Sequence, residues 1–589
     1  MSQLEPVIVG LAAHFHDSAC CVLVGGRLAA AAQEERFTRV KHDSSLPRNA
    51  FRWCLANAGL TIADVDCIAW YEDPVAKLDR QLWMGLPQVP PAAPPFLFRL
   101  DAARPARELR ELLGWDGRIE FVPHHVAHAA SAFDFSGFRD AAILTVDAVG
   151  EWTTTSYGRG HELGIDLFEE VEFPHSLGLF YSAITSYLGF DVNDAEYKVM
   201  GLAPYGRPQY VDQMRMLVEN VPGGRFRLDL EYFDFLGGAR MFSDALCALF
   251  GRPPREPESE LDAFTRDIAR SAQVVLEEIL LAKAAWLHEQ VGSPRLCMAG
   301  GVALNCVANG RILREGPFEE LFVQPAASDA GAALGAATIT HRRMTGAAPP
   351  VERLAHVFLG PAYSGDEIRA VLRGSGVTTQ VFPDQAALCD HVAERLACGE
   401  VIGWFRGAME FGPRALGARS ILADPRNPAM RDRVNAFVKK REGFRPFAPA
   451  VIAERAGEHF DLDHDAPFML ETCQVRSALD LPAITHVDGS ARPQTVEAGA
   501  NPGFHALLRA FERRTGCPIL LNTSFNLRGE PIVCTPIDAL LCFVRSDLDC
   551  LVLEDTVIDR RDVPPAWIEA FRDTPARRTG VSHTVYTLL

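Results

Sequence analysis

Two stretches of the chain carry the same strand-and-turn plan, and that repetition limits the folds open to it more than any other feature. Residues Pro6 to Glu35 read as strand, polar turn, strand, Gly-Gly turn, strand. Val7 to Leu11 lead to His14 through Ser18; Ala19 to Val24, Gly25-Gly26 and Leu28 to Ala32 follow. Residues Ala141 to Val171 repeat the plan: Ile143 to Val146 lead to Asp147, Ala148, Val149 and Gly150. Thr153 to Gly158 and Ile165 to Val171 follow across a Gly-containing turn. Two such units in one domain predict an internal duplication. Each holds polar residues at its first turn, where paired lobes can grip a nucleotide.

A chain of 589 residues is too long for one core, so two domains are expected. The boundary falls near Thr345 to Pro350, where helical periodicity gives way to Pro, Gly and Ala. The expected domains are therefore 1–345 and 355–589. Leu261 to Val291 reads as one long amphipathic helix, Asp366 to Ser375 and Asp384 to Cys398 as helices, and Val401 to Phe405 as a strand. Proline-rich Met84 to Leu97 reads as a loop or lid, and the residues from Arg561 as a tail with one short helix. The charge balance, 76 acidic against 58 basic residues, gives a net −18 and disfavours nonspecific nucleic-acid binding. No apolar window predicts a membrane span, and the first residues lack the basic segment of a secretory signal. Fourteen cysteines without a Cys-x-x-Cys pair argue against a zinc ribbon or thioredoxin-like site. A reduced, cytoplasmic enzyme is the expectation.

His124 and His128 stand four residues apart. Four helical residues turn about 400°, which puts both imidazoles on one face, where they can share a divalent ion. Spacing alone favours the plainer reading, two histidines lining an ordinary helix; the surroundings reverse it. Asp147 ends an apolar strand-like run, and Asp329 lies in a loop entering a helix of small residues. A mixed His/Asp set suits a mid-row divalent ion that also touches oxygen, such as a nucleotide phosphate. Leu296 to Asn305 adds a strand, the pair Gly300-Gly301 and a helix start, a layout that lets backbone approach a ligand closely. Taken alone, that layout is more often a tight turn.

The C-terminal half collects cations among Gly, Pro and Phe, unlike a solvated face. Gly412 to Ser420 carries Arg414 and Arg419; Asn435 to Pro449 carries Lys439, Lys440, Arg441 and Arg445; Ser490 to Thr495 carries Arg492. Leu520 to Asn526 places Asn522, Thr523, Ser524 and Asn526 just after a buried strand. Guanidinium groups match phosphate and carboxylate bidentately, and Lys supplies a point charge. For any single Arg, a structural ion pair is the competing reading.

Together these pieces resemble the O-carbamoyltransferases of the nodulation-factor and antibiotic-tailoring family over nearly the whole chain. The resemblance rests on Phe15 to Ala19, Glu34 to Arg39, His124 to Ala132, Lys198 to Ala203, Gly300 to Asn305, Gly412 to Gly417, Arg445 to Pro449 and Leu521 to Asn526. It implies an α/β protein with an N-terminal actin-like ATPase domain (duplicated ribonuclease-H-like, Kae-type) and a C-terminal YrdC-like twisted α/β domain. It further implies that the second domain forms carbamoyl-adenylate from carbamoyl phosphate and ATP with Mg²⁺. The first domain would pass the carbamoyl group to a hydroxyl of a natural-product or saccharide acceptor, releasing AMP.

Carried over by motif, the resemblance makes His124, His128, Asp147 and Asp329 the ligands of Fe²⁺ or another mid-row divalent ion. It makes His16 the base for the acceptor hydroxyl, with Asp17 beside it and His14 as its rival. Histidine, near neutral pKa, suits that task. Adjacent strand residues face opposite ways, which counts against Asp17 orienting His16. Lys198, Gly201, Gly300, Gly301 and Asn305 fall on nucleotide-binding positions of the first domain. Arg414, Lys439, Arg441, Arg445, Arg492, Asn522, Thr523, Ser524 and Asn526 fall on the carbamoyl phosphate and adenylate pocket of the second. Ala148 departs from the family, which usually has glycine there, and adds a methyl beside the ion. The acceptor-facing segments, Asp73 to Pro105 and Phe226 to Pro257, match no motif, so the acceptor stays open. A homodimer is the expected assembly, without nucleic acid or membrane.

Other readings compete. An actin-like kinase or simple ATPase explains the first domain alone. A tRNA threonylcarbamoyl-type modification protein is disfavoured by the acidic balance, and a hydrogenase-maturation protein by the lack of Cys-x-x-Cys motifs. A nucleotide-binding module without chemistry leaves His16 and the ligand set unexplained.

Overall fold

The computed structural model describes residues 5–84, 100–237 and 240–571. Most of the proline-rich segment and the tail beyond Phe571 lie outside the described residues. Two compact units emerge. The first takes residues 5–34 and 42–354, the second 35–41 and 355–571.

In the first unit, β1 (Val7–Ala12), β2 (Ala19–Val24), β3 (Arg27–Gln33), β4 (Cys67–Trp70) and β5 (Arg118–Phe121) form one sheet in the order β3-β2-β1-β4-β5. A second sheet contains β6 (Ala141–Val146), β7 (Thr153–His161), β8 (Gly164–Glu172), β9 (Arg295–Ala299) and β10 (Glu320–Val323), in the order β10-β9-β6-β7-β8. β1 runs antiparallel to β2 and parallel to β4; β6 runs antiparallel to β7 and parallel to β9. Order and direction match strand for strand, so the plan repeated in the sequence is present as two sheets. β1 and β6 are buried at every position, as central strands covered on both faces must be, and Thr145, the polar side chain of β6, bonds His125 and Ser156.

Two helices bring the functional residues in. α1 (His124–Ser136) follows β5, and α2 (Asp329–Thr345) follows β10. α2 begins Asp-Ala-Gly-Ala-Ala-Leu-Gly-Ala-Ala, and its small side chains let backbones close in. A Cβ at Gly335 would lie 1.8 Å from the Ala127 carbonyl oxygen of α1, and one at Gly10 of β1 would lie 2.0 Å from the Ala333 oxygen of α2. The long helix runs unbroken over Ala263–Val291; Asp262 caps it by accepting from the Thr265 N–H, and Gly292 closes it in the left-handed conformation.

The second unit is built on an eight-stranded mixed sheet. Its strands are β11 (Gln380–Val381), β12 (Ile402–Phe405), β13 (Arg419–Ala423), β14 (Ala448–Ile452), β15 (Gln494–Val496), β16 (Ile519–Ser524), β17 (Cys550–Leu553) and β18 (Thr556–Asp559). They run in the order β11-β18-β17-β12-β13-β16-β14-β15. The helices Gln385–Ala397 and Pro502–Thr515 pack against each other, and their apolar faces join one core with the sheet.

Residues 35–41, assigned with the first domain by their place in the chain, pack within the second unit. The Arg36 guanidinium donates to the Gly412 carbonyl at 2.8 Å. Arg39 donates to the Ile532 and Pro531 carbonyls at 2.6 and 2.8 Å. A buried guanidinium must find acceptors, and these loops provide them. Among the described residues, no helix is long and apolar enough to cross a membrane.

Candidate metal centre and active site

His124 opens α1, and its N–H would be an orphan donor at a helix start. The buried Glu151 carboxylate takes it, at 2.9 Å, and also accepts from the Asp73 N–H at 2.6 Å. An anion at that end suits the helix dipole. Glu151 stands four residues after Asp147, and no motif in the sequence marks this role for it. One turn on, His128 lies on the same face, and the two Nε2 atoms are 3.0 Å apart. Asp147, at the end of β6, brings Oδ2 to 3.1 Å from His124 Nε2 and 3.6 Å from His128 Nε2. Asp329, the first residue of α2, brings Oδ1 to 3.7 and 3.8 Å from the same nitrogens.

One ligand atom from each of these four buried residues lies within 4.8 Å of every other. Atoms each about 2.1 Å from one ion stand roughly 3–3.5 Å apart, so the donor set fits a mid-row divalent cation. Asp329 Oδ2 is buried without a hydrogen-bond partner. The Gly301 N–H donates to Asp147 Oδ1 at 2.8 Å, holding that carboxylate from behind. Burial drives the Asp329 carboxyl up, to about 7, with Asp147 adding to the rise and His124 opposing it. Burial alone would lower His124; the hydrogen bond to Asp147 and the Asp329 and Asp147 charges raise it to about 9. Both shifts run upward, and strongly perturbed groups packed this closely mark a candidate functional site.

Three glycines are shaped by this centre. A Cβ at Gly300, where φ is 92°, would strike the Val146 carbonyl oxygen at 2.2 Å. One at Gly178 would strike the Ala148 Cα at 2.6 Å, so the departure at Ala148 meets a glycine across from its backbone. One at Gly150 would press on the His124 ring at 3.0 Å. Gly178 carried no signal in the sequence.

His16 sits in the turn after β1, not in a strand, so Asp17 can reach back to it: His16 Nδ1 is 3.0 Å from Asp17 Oδ2. His16 Nε2 is 2.7 Å from the Asn193 carbonyl oxygen, which can only accept, so that nitrogen carries a proton. Burial opposes charging of His16, but Asp17 holds its pKa above the ordinary value. Ser328, the neighbour of Asp329, donates to Asp17 Oδ2 at 2.9 Å. His14 faces elsewhere, with Nε2 2.8 Å from Glu108 Oε2, its ring 5.0 Å from Trp70, and its pKa lowered by burial.

The remaining positions of the first unit divide. Asn305 caps the helix Cys306–Glu315 through the Ala308 N–H and exchanges hydrogen bonds with Gln273, so its side chain is engaged in the fold. Lys198 is buried in the helix Glu196–Leu202, which also carries Gly201; its ammonium stands 5.5 Å from the Phe190 ring centre.

In the second unit, Lys439 is buried, and its Nζ donates to the Ser524 and Asn526 carbonyls at 2.7 and 2.8 Å, to Ser524 Oγ and to Asn526 Oδ1. All four acceptors are uncharged. Burial holds its pKa well below the ordinary lysine value, and Arg441 and Arg445 push the same way. Arg441 bonds Asn435 Oδ1 at 2.8 Å and lies over the Phe447 ring; Arg445 stands 3.8 Å from Glu442.

Asn522 of β16 donates to the Ala415 carbonyl and to Gln494 Oε1, at 3.2 and 2.9 Å, and its Oδ1 is buried without a partner. These bonds tie β16 to the Arg414 loop and to β15, two residues past Arg492. The loop itself hangs on buried Glu410, which accepts from the N–H groups of Leu416, Ala418 and Arg419. Glu410 and Gln494 were not singled out in the sequence. Thr523 pairs with Ile421 across the sheet and is half-buried.

Known proteins resemble this chain along most of its length. The model described as Carbamoyltransferase N-terminus matches residues 7–88 and 109–338, and the one described as Carbamoyltransferase C-terminus matches 393–560. The nodulation protein NolNO of Sinorhizobium fredii is 41% identical over 93% of this chain and 80% of its own. An uncharacterized protein of Synechocystis sp. is 44% identical over 96% of this chain and 99% of its own. The 3'-hydroxymethylcephem-O-carbamoyltransferase of Amycolatopsis lactamdurans is 38% identical over 46% of this chain and 50% of its own. With both halves of the family model matched, the chain belongs to the carbamoyltransferase family and is a transferase.

Proposed function

We propose that this chain is an ATP-dependent O-carbamoyltransferase whose second unit activates the carbamoyl group and whose first unit delivers it to an alcohol. The observation that carries this reading is the convergence of His124, His128, Asp147 and Asp329 in a member of the carbamoyltransferase family. Those four residues would hold Fe²⁺ or a similar ion, which supplies charge stabilisation to the adenylate phosphate as AMP departs. Carbamate itself is a poor electrophile, and its mixed anhydride with AMP is a good one, so activation before transfer makes chemical sense.

The second unit offers what activation requires. Among the described residues, buried Lys439 donates to uncharged acceptors beside Arg441 and Arg445, and an anion bound there would favour its charged form. Carbamoyl phosphate and the triphosphate of ATP are such anions, with Mg²⁺ accompanying ATP; Arg414, Arg492, Asn522, Thr523, Ser524 and Asn526 would orient them. In the first unit, Lys198, Gly201, Gly300 and Gly301 would flank the nucleotide. His16 would take the acceptor's hydroxyl proton at Nε2, exchanging the Asn193 carbonyl for the acceptor, because Nδ1 is held by Asp17. The acceptor would be a hydroxyl-bearing natural product or saccharide.

Incubation with ATP, carbamoyl phosphate and a panel of alcohols tests the reading. AMP, pyrophosphate and a mass gain of one carbamoyl group on the alcohol are expected. ADP as the main nucleotide product would replace this reading with that of a kinase.

A further inference from the structure

A second knot of histidine and carboxylate side chains surrounds His16. Asp17 uses both oxygens, Oδ2 at 3.0 Å from His16 Nδ1 and Oδ1 at 2.8 Å from His42 Nδ1. The far nitrogen of His42 lies 3.0 Å from Asp194 Oδ1. The His16 and His42 rings stack with centres 4.4 Å apart and planes 21° from parallel. Asp17, His42 and Asn193 all have left-handed backbone, with φ of 50°, 53° and 67°, a region non-glycine residues seldom occupy. Such strain persists only where the surroundings over-determine it, and here it gathers around one carboxylate.

We propose that His42 is a positioning residue for carbamoyl transfer: pinned by Asp194, it fixes one oxygen of Asp17 so that the other stays on His16. The proposal rests on the reading in which His16 receives the hydroxyl proton. A carboxylate held at one oxygen only, as Oδ2 is by His16 and Ser328, can still pivot about its Cβ–Cγ bond, and the imidazole it orients turns with it. Partners on both oxygens remove that freedom, and stacking keeps the two rings in register. Misplacing a reacting group by about 1 Å can lower a rate about 100-fold. The competing account makes the knot a brace between two loops, in which case its loss lowers stability and nothing else.

Two conservative variants separate these accounts. His42→Asn places an amide N–H near the Nδ1 position and keeps the bond to Asp17 while losing Asp194. His42→Gln reaches Asp194 and loses Asp17. In full-length protein with its metal, His42→Gln is expected to lower kcat for transfer about 100-fold. KM for the acceptor and carbamoyl-phosphate-dependent pyrophosphate release should hold, and His42→Asn should recover most of the loss. Adding His42→Gln to Asp17→Asn should cost nothing further. Histidine-labelled NMR should show the His16 ring signals shifted or broadened in His42→Gln and retained in His42→Asn, whether or not an acceptor is at hand.

Equal losses in the two variants, full kcat in both, or unchanged His16 signals would overturn the proposal. Full transfer by His16→Ala would instead overturn the reading beneath it.

Discussion

His124 and Asp329 hold protons that an ion bound by the proposed ligand set would have to displace. Burial and Asp147 keep the Asp329 carboxyl protonated up to about 7, far above an exposed aspartate. A carboxyl raised on folding makes the ion-free protein less stable as pH climbs from about 4 to 7. His124, lowered by burial but raised to about 9 by Asp147 and Asp329, contributes stability that is full below about 6.5 and lost through 9. Both losses run the same way, and bound metal replaces both protons. The melting midpoint of Fe²⁺-loaded protein should therefore exceed that of chelated protein by a margin that widens from pH 6 to 9; a narrowing margin would contradict the ligand set. His124→Ala should lose the ion and cut transfer about 100-fold or more while pyrophosphate release continues. Metal analysis checks the first part, and unchanged metal content would remove His124 from the set. Arg445→Ala should do the reverse, stopping pyrophosphate release with metal still bound; wild-type release would take Arg445 out of the pocket.

At the scale of elements, the centre depends on how closely α1 and α2 approach. Gly335 packs against the Ala127 carbonyl, between the two histidines in sequence, so a methyl there must push the helices apart. Gly335→Ala should destabilise the fold by about 1–3 kcal/mol, and metal affinity should fall with it. A calorimetric titration that found affinity unchanged would uncouple helix spacing from the centre. The sequence made much of this visible. Apolar runs such as Val7 to Ala12 announced central strands, and the spacing of His124 and His128 announced one helical face. It could not show that the Gly301 N–H serves Asp147, that Asn305 is a cap, or that Glu151 completes α1. Those roles depend on backbone approach between segments distant in sequence, which periodicity does not encode. His42 was hidden for a related reason: its partners, Asp17 and Asp194, are 25 and 152 residues away.

For the whole molecule, the decisive feature is that residues 35–41 pack within the second unit. A fragment beginning at Ala355 would leave the Gly412, Pro531 and Ile532 carbonyls without the donors that Arg36 and Arg39 supply. That fragment should be less stable alone than with a synthetic peptide of residues 34–43 added, by about 1–3 kcal/mol for the restored charge-assisted bonds, and should melt lower. A midpoint indifferent to the peptide would show that the segment is dispensable. The same arrangement sets a timetable for birth on the ribosome. Arg36 emerges early, and its partner Gly412 is polymerised 376 positions later. At about 5–20 residues per second, two cationic side chains spend on the order of tens of seconds waiting for the loops that will receive them. Maturation of the second unit must therefore include the capture of a segment made long before it, and a cell that slows elongation between the two would lengthen that exposure.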